Sequence, residues 1–233
     1  MTTSGEAQMQ GAGLGMVVAT PATARCLAGL ARRAGAAVIT SYGDAGRARA
    51  AARQLVAGGA RAILSFGPAV GLAPLLRPGD LVIADSVVMP RGETIETDLA
   101  WRTELEQRLR TTQSRLTVAR LAGRDRLAPS ADEKRIVFRE TFAAALDSES
   151  HEIAGIAHAA GLPFVAVRAI AEPAEENRPL AHRPARNAYA ASVPACLVRP
   201  WELPAVLRFA KNGRAALATL RQVATLVPRT QGG

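Results

Sequence analysis

Short apolar runs alternate with helical patterns from the start of the chain to Ile170, and this alternation restricts the fold more than any other feature of the sequence. The runs that have the length of buried strands are Met16–Ala19, Ala36–Ser41, Ala62–Phe66, Leu81–Val88, Leu116–Leu121 and Leu162–Ile170. Helical spacing separates most of them, in the segment that carries Arg25 and in 46–58, 98–110, 130–142 and 151–160. Strands that alternate with helices pair in parallel, so the sequence predicts an α/β fold with a layered, largely parallel sheet flanked by helices.

No linker rich in Ser, Gly or Pro divides the 233 residues, and the sequence therefore predicts one domain that spans 1–233. Residues 1–13 are small and polar, which predicts a flexible leader, and the proline-broken stretch Glu175–Pro194 predicts a loop over a site or an edge. The segment 201–227 has the spacing of an amphipathic helix, with a kink expected near residues 212–213. Its predicted inward face consists of Leu203, Val206, Leu207, Ala210, Leu217, Leu220 and Ala224.

The net charge of +9 suggests nucleic acid as a partner, but the distribution of the charge argues against nucleic-acid binding. The excess is almost all arginine, spread along the chain, and no basic block is interleaved with aromatic residues as a stacking platform requires. Cys26 and Cys196 are far apart and lack metal-ligand spacing, which is typical of reduced packing residues. The sequence shows neither a signal peptide nor a run long enough to span a bilayer. We therefore expect a cytoplasmic protein that does not bind nucleic acid.

The run Ala62–Phe66 ends in a glycine- and proline-rich stretch that is the first candidate for a binding site. Gly67, Pro68 and Gly71 predict a sharp turn where the strand leaves the sheet. Ligands of open α/β sheets lie at the carboxyl ends of strands, where glycine lets backbone N–H groups approach an anion or a sugar. The candidate substrate contacts in this stretch are therefore Gly67, Pro68, Ala69 and Gly71. A packed strand-turn-strand without a ligand explains the stretch equally well.

Thr20, Thr23 and Arg25 lie at the predicted start of the first helix. Hydroxyl groups and an arginine at a helix N-terminus can hold an anion, because the unpaired N–H groups there carry partial positive charge. The simpler explanation is ordinary capping by Thr20, with Pro21 at the first helical position. The sequence favours capping and keeps a phosphate or water site as the weaker hypothesis.

Arg168 is the most informative single residue, because it interrupts an otherwise apolar strand. A buried guanidinium is costly unless an anion or fixed acceptors pair with it, so the sequence predicts either a structural ion pair or an anion site. Glu149 lies at the start of a helix, and Glu172 lies just beyond the strand that holds Arg168. If these strands are neighbours, both carboxylates meet Arg168 near Gly67, a convergence that is typical of a functional site. Each carboxylate alone is explained as a solvated helix cap.

The chain has three histidines, His151, His158 and His182, and none of them has metal-ligand spacing. We interpret them as core or surface residues and predict no metal site. The sequence also lacks the GxSxG, Walker and HExxH motifs. The glycines of 11–15 precede the first strand, where they cannot bind a dinucleotide. We therefore expect no organic cofactor.

Separate segments of the chain resemble the nucleoside phosphorylase and nucleosidase superfamily, in the same order and with similar spacing over residues 14–176. Ser65–Pro74, followed by Pro78–Val82, resembles its glycine-rich segment. Asp147–His151 resembles its ribose-binding segment, and Leu162–Glu175 resembles its catalytic strand and loop. The resemblance implies a three-layer phosphorylase/hydrolase-like fold with a mixed, largely parallel central sheet. It also implies an enzyme that cleaves the N-glycosidic bond of a purine nucleoside.

Within that superfamily, Glu149-Ser-His and the tail segments Trp201–Leu207 and Arg214–Leu217 resemble the hopanoid-associated branch. This finer resemblance implies removal of adenine from adenosylhopane in hopanoid biosynthesis, and therefore a nucleoside whose other end is a lipid. A soluble purine nucleoside is the alternative substrate. Members of the superfamily commonly form homo-oligomers, so we expect one here.

The basic residues of the terminal helix suggest how a lipid-linked substrate would arrive. Arg208, Lys211, Arg214 and Arg221 belong to an amphipathic pattern of the kind found in peripheral membrane proteins. We therefore expect one of two arrangements. The helix either contacts an anionic inner membrane or packs on its own domain.

The resemblance assigns roles to the candidate site residues. Glu149, with Ser148 beside it, corresponds to the glutamate that holds the sugar hydroxyls, where hydrogen bonds strengthen in the transition state. Glu172 corresponds to the acid that protonates the departing purine. Arg168 positions the incoming phosphate or water, and the stretch 67–71 frames that nucleophile. Inorganic phosphate is therefore an alternative to water as the second substrate.

The chain departs from the family pattern at several of these positions. Glu172 stands where the family usually has aspartate, and Ser148 replaces the usual methionine beside the ribose glutamate. Pro68 replaces a serine or a similar donor, and the glutamate by which the hydrolases activate water is missing near Thr23. That absence favours phosphate slightly, because a carboxylate repels it, yet Ser65 stands where some phosphorylases have a second arginine. The acceptor stays open, and a non-catalytic homologue that still binds a nucleoside is the second hypothesis.

Overall fold

The computed structural model of the chain describes residues 13–112, 114–179 and 200–227. The predicted leader, 1–13, and the predicted loop, Glu175–Pro194, lie largely outside these ranges. Cys196 and His182 also lie outside them.

Eight strands and six α-helices make up the described ranges. The strands are β1 (Leu14–Val18), β2 (Ala37–Thr40), β3 (Ala62–Gly71), β4 (Leu81–Val88), β5 (Thr94–Glu96), β6 (Leu116–Gly123), β7 (Ala145–Asp147) and β8 (Phe164–Glu172). The helices are α1 (Pro21–Ala34), α2 (Ala45–Ala57), α3 (Leu99–Leu109), α4 (Ala131–Thr141), α5 (Ser150–Ala159) and α6 (Leu203–Ala224). A 3₁₀ turn, Pro200–Glu202, leads directly into α6. Every predicted strand and helix is present, and the two short strands β5 and β7 are additional.

The strands form one sheet in the order β2-β1-β3-β7-β6-β4-β5, and β8 pairs with both β3 and β4. Because β8 joins β3 to β4, the strands β3, β8, β4, β6 and β7 close into a ring, and β1 and β2 extend the sheet from it. Parallel pairings join β1 to β2 and β3, β3 to β8, and β6 to β4 and β7. The antiparallel pairings are β3 with β7 and β4 with β5 and β8. The predicted mixed, largely parallel sheet is confirmed.

Two helical layers cover the sheet and complete a three-layer fold. On one face, α2 and α5 pack apolar side chains such as Leu55 and Ile153 against the strands. On the other face, α1, α3 and α6 contribute Leu27, Leu105 and Leu220. Helix α4 lies beside a third, smaller apolar cluster. The functional candidates therefore lie on a framework that is packed from both sides.

Local capping signals fix the starts of two helices that border the candidate site. Thr20 caps α1: its Oγ1 accepts a hydrogen bond from Thr23 N at 3.1 Å, and Pro21 is the first helical residue. Ser130 caps α4 in the same way, accepting from Glu133 N at 3.2 Å, which confirms the predicted helix start. A cap of this kind stabilises a helix by about 1 kcal/mol.

Strand β3 continues through the stretch where the sequence predicts a sharp turn, and that prediction is wrong. The stretch 67–71 pairs with β8, with one register shift between Ala69 and Val70. On its other side, β3 pairs with β1 up to Phe66 and with β7 from Val70 onward. The backbone of 67–69 therefore has a strand neighbour on one side only. A proline, which lacks an N–H group, is tolerated at such a position.

Helix α6 buries only the second half of the face that its sequence pattern predicts, where Leu220 and Ala224 are buried. It is one uninterrupted helix across residues 212–213, and its buried side chains all lie within Ala216–Ala224, where it packs against β8 and α1. Leu203 and Leu207, which the pattern places inward, are exposed, and so is Leu99 of α3. Apolar spacing marks one face of a helix but does not tell whether a neighbour covers that face.

No helix within the described ranges has the length and hydropathy needed to cross a bilayer.

Candidate active site

A buried ion pair between Arg168 and Asp147 forms the centre of the candidate site. Arg168 extends from β8 with 1 % of its surface exposed, and its Nε donates to Asp147 Oδ2 at 2.5 Å. Its Nη2 donates to the hydroxyl groups of Ser65 and Ser150, at 2.5 and 2.7 Å. Its Nη1 donates to the carbonyl of Val167 at 3.0 Å. Of the two explanations that the sequence leaves open for Arg168, the structure shows an ion pair.

Asp147 also fixes the start of α5. Its Oδ1 accepts from the backbone N–H groups of Glu149 and Ser150 at 3.0 and 2.8 Å, and its Oδ2 accepts from the Ser150 hydroxyl at 2.5 Å. Burial by itself would raise the pKa of Asp147. The charge of Arg168 and the hydrogen bonds from Ser150 outweigh burial and hold this pKa below its ordinary value. Asp147 is thus a paired carboxylate that positions the backbone around Glu149.

Glu149 is buried, at 5 % exposure, and described residues pair with one of its two carboxylate oxygens. Its Oε1 accepts hydrogen bonds from the Ser41 hydroxyl and, at 3.2 Å, from the N–H of Gly43. Its Oε2 has no hydrogen-bond partner among the described residues. Burial raises the pKa of Glu149 to about 7, against the opposing effects of Ser41 and Arg168. The carboxyl group therefore changes its charge near neutral pH and offers one oxygen to a ligand.

The loop that follows β2 completes the surroundings of Glu149, and no sequence motif marks it. The Ser41 hydroxyl lies 2.9 Å from the carbonyl of Val18 and also contacts Glu149, yet a hydroxyl group has one hydrogen to donate. Protonation of Glu149 removes this conflict, because the acid then donates to Ser41 while Ser41 donates to Val18. The carbonyl of Gly43 accepts from the Ser148 hydroxyl at 2.9 Å, which ties the loop to the segment before α5.

The predicted glycine-rich contacts divide into two kinds. Gly67 lies opposite the ion-paired arginine in the ladder of β3 and β8, and a Cβ added to it would meet Ala19 Cβ at 3.6 Å, an ordinary contact. Gly71 packs more closely, because an added Cβ would lie 3.3 Å from two atoms of β8. Pro68 is half-buried and Ala69 is buried. Close packing thus explains Gly71, whereas the contacts of Gly67 do not require a glycine.

Glu172, the predicted acid, belongs to a second charged cluster at the end of β8. Arg178 binds both of its carboxylate oxygens, with Nε donating to Oε2 at 3.1 Å and Nη2 donating to Oε1. The fully buried Lys134 of α4 donates to the carbonyls of Pro173 and Glu176, at 2.8 and 2.7 Å. Burial lowers the pKa of Lys134, and the charge of Glu172 opposes that shift. The Arg178 guanidinium therefore pairs with the Glu172 carboxylate. Lys134 joins the turn that follows Glu172 to α4.

The structure brings Glu149 and Arg168 together but places Glu172 further along the sheet. Glu149 is two residues from Asp147, the partner of Arg168. Glu172 lies four residues beyond Arg168 on β8, a distance of roughly 13 Å at about 3.3 Å per residue. The three groups therefore belong to two hydrogen-bonded networks, one in which Glu149 and Arg168 meet through Asp147 and one in which Glu172 pairs with Arg178. Arg178 belongs to the second cluster and lies in a segment that carries no motif.

The residues at the start of α1 show the simpler of their two predicted arrangements. The hydroxyl oxygens of Thr20 and Thr23 lie 2.9 Å apart, and Thr20 caps the helix. Arg25 is exposed. A role for these residues toward phosphate or water stays a prediction.

The fold brings together three possible metal ligands that sequence spacing does not reveal. One atom each of Asp125, His151 and Glu152 lies within 4.8 Å of the others. The Arg49 guanidinium binds both oxygens of Glu152, at 2.5 and 2.7 Å, and a guanidinium at that position repels a cation. His151 Nε2 lies 2.9 Å from Asp125 Oδ1. We therefore interpret this group as a network of ion pairs and hydrogen bonds.

A sequence profile described as the phosphorylase superfamily matches residues 30–196. The matched range covers more than half of the chain and contains the ion pair, Glu149 and Glu172. A comparison with curated proteins found no match.

Solved structures with a similar fold include nucleoside-cleaving enzymes of Helicobacter pylori and S. pneumoniae. Futalosine hydrolase of Helicobacter pylori has 16 % sequence identity and a TM-score of 0.72, and the alignment covers 92 % of this chain and 96 % of that chain. The 5′-methylthioadenosine/S-adenosylhomocysteine nucleosidase of Helicobacter pylori has 16 % identity and a TM-score of 0.71, over 91 % and 95 % of the two chains. The same nucleosidase from S. pneumoniae has 17 % identity and a TM-score of 0.67, over 92 % and 99 %. At these identities the similarity shows the fold, and it confirms the predicted three-layer α/β arrangement.

Proposed function

This chain belongs to the phosphorylase superfamily, and we propose that it cleaves the N-glycosidic bond of an adenine nucleoside with water as the acceptor. One observation carries the proposal. Glu149 is a buried carboxylate with one oxygen unpaired among the described residues, beside an arginine that is already neutralised. Cleavage of the bond leaves positive charge on the sugar and negative charge on the base. A carboxylate at the sugar end therefore stabilises the transition state.

In this proposal Glu149 binds the sugar. Its Oε2 accepts a hydrogen bond from a sugar hydroxyl, and that bond strengthens as positive charge develops on the ring. Ser41 and Gly43 hold the other oxygen and fix the orientation of the carboxylate. Because the pKa of Glu149 is about 7, a substantial fraction is ionised at neutral pH, and the ionised form is the one that stabilises a cationic sugar. Asp147 acts indirectly by fixing the start of α5.

The departing base lies toward the end of β8. Glu172, four residues beyond Arg168 on β8, is the acid that this proposal assigns to the base. Arg178 first releases one carboxylate oxygen of Glu172, and that oxygen takes a proton from solvent. The electron pair of the broken bond then passes to the base, and the base takes the proton from Glu172. The oxygen of a water molecule bonds to the sugar carbon, and its proton returns to Glu172. The products are the free base and the free sugar.

Water is favoured over phosphate because the arginine that would hold phosphate is already neutralised. Arg168 pairs with Asp147, and its remaining contacts are to Ser65, Ser150 and a backbone carbonyl. An entering phosphate would meet the Asp147 charge or have to displace it, and breaking a buried pair costs about 3–5 kcal/mol. This argument outweighs the slight preference for phosphate that the missing glutamate near Thr23 suggests.

We propose the identity of the substrate from the names of the structurally similar nucleosidases and from the resemblance of the sequence to the hopanoid-associated branch. The nucleosidases with a similar fold are named for 5′-methylthioadenosine and S-adenosylhomocysteine, which supports adenine as the base. Adenosylhopane, with a role in hopanoid biosynthesis, is the substrate that the resemblance of Glu149-Ser-His implies. A homo-oligomer follows from the same resemblance. A soluble adenine nucleoside is the alternative substrate.

One contact favours a second function, binding of a nucleoside without cleavage. Arg178 binds both oxygens of Glu172. If that pair never opens, the base receives no proton and the bond stays intact. The replacement of family residues by Pro68 and Ser148 is consistent with this alternative.

Release of adenine distinguishes these functions. Adenosine, 5′-methylthioadenosine and adenosylhopane are incubated with the protein, with and without phosphate, and free adenine is measured. We expect release that does not depend on phosphate. Release that requires phosphate would contradict water as the acceptor. No release, combined with measurable nucleoside binding, would identify the second function.

A pair of matched variants tests the role of Glu149. Glu149→Gln removes the charge that stabilises the sugar cation, and we expect kcat to fall by at least about 100-fold. Glu152→Gln makes the same change three residues along the same segment, where the side chain pairs with Arg49, and we expect wild-type activity. Equal activities of Glu149→Gln and Glu152→Gln would contradict the role of Glu149.

A further inference from the structure

The start of α6 presents an apolar surface that no other described element covers. Trp201, in the 3₁₀ turn before the helix, is 73 % exposed, and Leu203 and Leu207 are 49 % and 61 % exposed. The two leucines are four residues apart and are therefore neighbours on the helix surface. Single exposed apolar side chains are common, but a tryptophan and two leucines exposed within seven residues are an unusual amount of apolar surface.

Basic residues continue this surface along the helix. Positions 203, 207, 211 and 214 follow one another at spacings of four and three residues, which puts Lys211 and Arg214 in line with the leucines. Arg208 lies on the flank of this line, and all three basic residues are exposed. The 22 residues of α6 include neither aspartate nor glutamate. The surface therefore changes from apolar to cationic without an acidic residue of the helix to neutralise it.

The opposite side of α6 accounts for the packing of the helix on the domain. Ala216, Leu220 and Val223 are buried in the apolar layer shared with α1 and β8. The fold therefore does not need the outward apolar residues for its core. Exposure of a tryptophan and two leucines to water is unfavourable. A partner that buries these side chains is therefore stabilised in its complex with the protein.

We propose that this surface, the α6 stripe, docks on the anionic surface of a lipid bilayer. The members of the stripe are Trp201, Leu203, Leu207, Arg208, Lys211 and Arg214. Tryptophan and leucine side chains enter the boundary between head groups and acyl chains, while lysine and arginine pair with lipid phosphates. The proposal concerns binding and does not rest on the proposed enzymatic activity.

Two other partners fit the α6 stripe less well. A nucleic acid accounts for the basic residues and offers bases that stack on the tryptophan, but it leaves the two exposed leucines uncovered. A second copy of the chain would bring two cationic surfaces together, and like charges repel. A bilayer with anionic head groups matches both halves of the stripe.

Binding of the full chain to vesicles tests the proposal. Sedimentation with vesicles of phosphatidylcholine alone is compared with sedimentation with vesicles that also contain phosphatidylglycerol. Tryptophan emission is followed in parallel, and because Trp101 is buried, a blue shift reports Trp201. We expect binding to the anionic vesicles, a blue shift on binding, and weaker binding as salt is raised.

A charge-matched pair of double variants tests the cationic half of the stripe. Lys211→Gln with Arg214→Gln removes two charges near the bilayer, and we expect binding to anionic vesicles to weaken by about 30-fold. The control is Arg53→Gln with Arg61→Gln, which removes two exposed arginines from other parts of the surface. We expect the control to bind within about threefold of the wild type.

A leucine-matched pair tests the apolar half. Leu203→Ser with Leu207→Ser removes two side chains that enter the bilayer, and we expect binding to weaken by at least about tenfold. The control is Leu75→Ser with Leu99→Ser, which replaces two leucines that are also exposed, and we expect it to bind as the wild type does. All of these positions are exposed, and thermal unfolding of each variant verifies that it is folded.

Four results would overturn the proposal. The first is an equal loss of binding in the stripe variants and their controls. The second is equal binding to neutral and anionic vesicles. The third is retention of duplex DNA without binding to vesicles. The fourth is a dimer that the stripe variants dissociate, again without binding to vesicles.

Discussion

Replacing Glu149 with glutamine should stabilise the protein more at alkaline pH than at acidic pH. Burial raises the pKa of the Glu149 carboxyl group from 4.5 to about 7. The folded protein therefore holds this proton more tightly than the unfolded chain, so the stabilisation is complete below pH 4.5 and is lost as the pH rises through about 7. At about 1.4 kcal/mol per pKa unit, the rise of about 2.5 units corresponds to about 3.5 kcal/mol. Glutamine has no such proton to lose.

Urea unfolding at about pH 5 and about pH 8 measures this effect. Of the total, about 2.5 kcal/mol falls between those two pH values, which corresponds to roughly 5–10 °C in Tm. The free energy of unfolding of Glu149→Gln, relative to the wild type, should therefore increase by about that amount from the lower to the higher pH. Glu152→Gln, whose side chain pairs with Arg49, should show a much smaller change. A difference between Glu149→Gln and the wild type that is the same at both pH values, within about 0.5 kcal/mol, would refute the reasoning.

Three further predictions concern the ion pairs and one strained residue. Arg168→Met and Asp147→Leu each leave a buried charge unpaired and should lower the free energy of unfolding in urea by about 3–5 kcal/mol, whereas the double variant should lose much less than the sum. Phe142 ends α4 at φ 52° with its ring exposed, and Phe142→Gly should raise that free energy by about 1 kcal/mol, because glycine adopts this left-handed conformation without strain. Arg178→Gln should raise kcat by about tenfold, because Arg178 occupies both oxygens of Glu172 and its removal frees them to contact the base. An unchanged kcat would argue that Glu172 is not the acid.

The sequence predicts the fold wherever a strand or helix is long enough to show its period. Strands β5 and β7 have three residues each, which is too short for a pattern to be recognised. The ring of strands closes because β8 lies between β3 and β4, and the apolar pattern of a buried strand does not specify its neighbours. The same limit explains the error at 67–71. There, pairing with β8 outweighs the local preference of glycine and proline for a turn.

The candidate site could be predicted only in part, because its contacts join distant segments. A charge within an apolar strand draws attention to Arg168, but nothing in the pattern identifies Asp147, 21 residues away, as its partner. Ser41 lies 108 residues from Glu149 and belongs to no motif. Arg178 follows in a polar segment that the sequence predicts only as a loop. The roles given to these residues in catalysis remain predictions until activity is measured.

The error at the start of α6 has a different cause. Spacing correctly indicates that Leu203 and Leu207 share a face of the helix with other apolar residues nearby. It cannot indicate where the domain ends, and in the structure the domain covers only the second half of the helix. The outward leucines are therefore informative because they depart from the predicted packing.

The sugar product formed in excess phosphate tests the central claim most directly. The protein is incubated with an adenine nucleoside and phosphate, and free sugar and sugar 1-phosphate are separated and quantified. We predict one equivalent of free sugar for each adenine released and no sugar 1-phosphate. Sugar 1-phosphate as the main product, or an intact nucleoside after prolonged incubation, would contradict cleavage of the N-glycosidic bond by water.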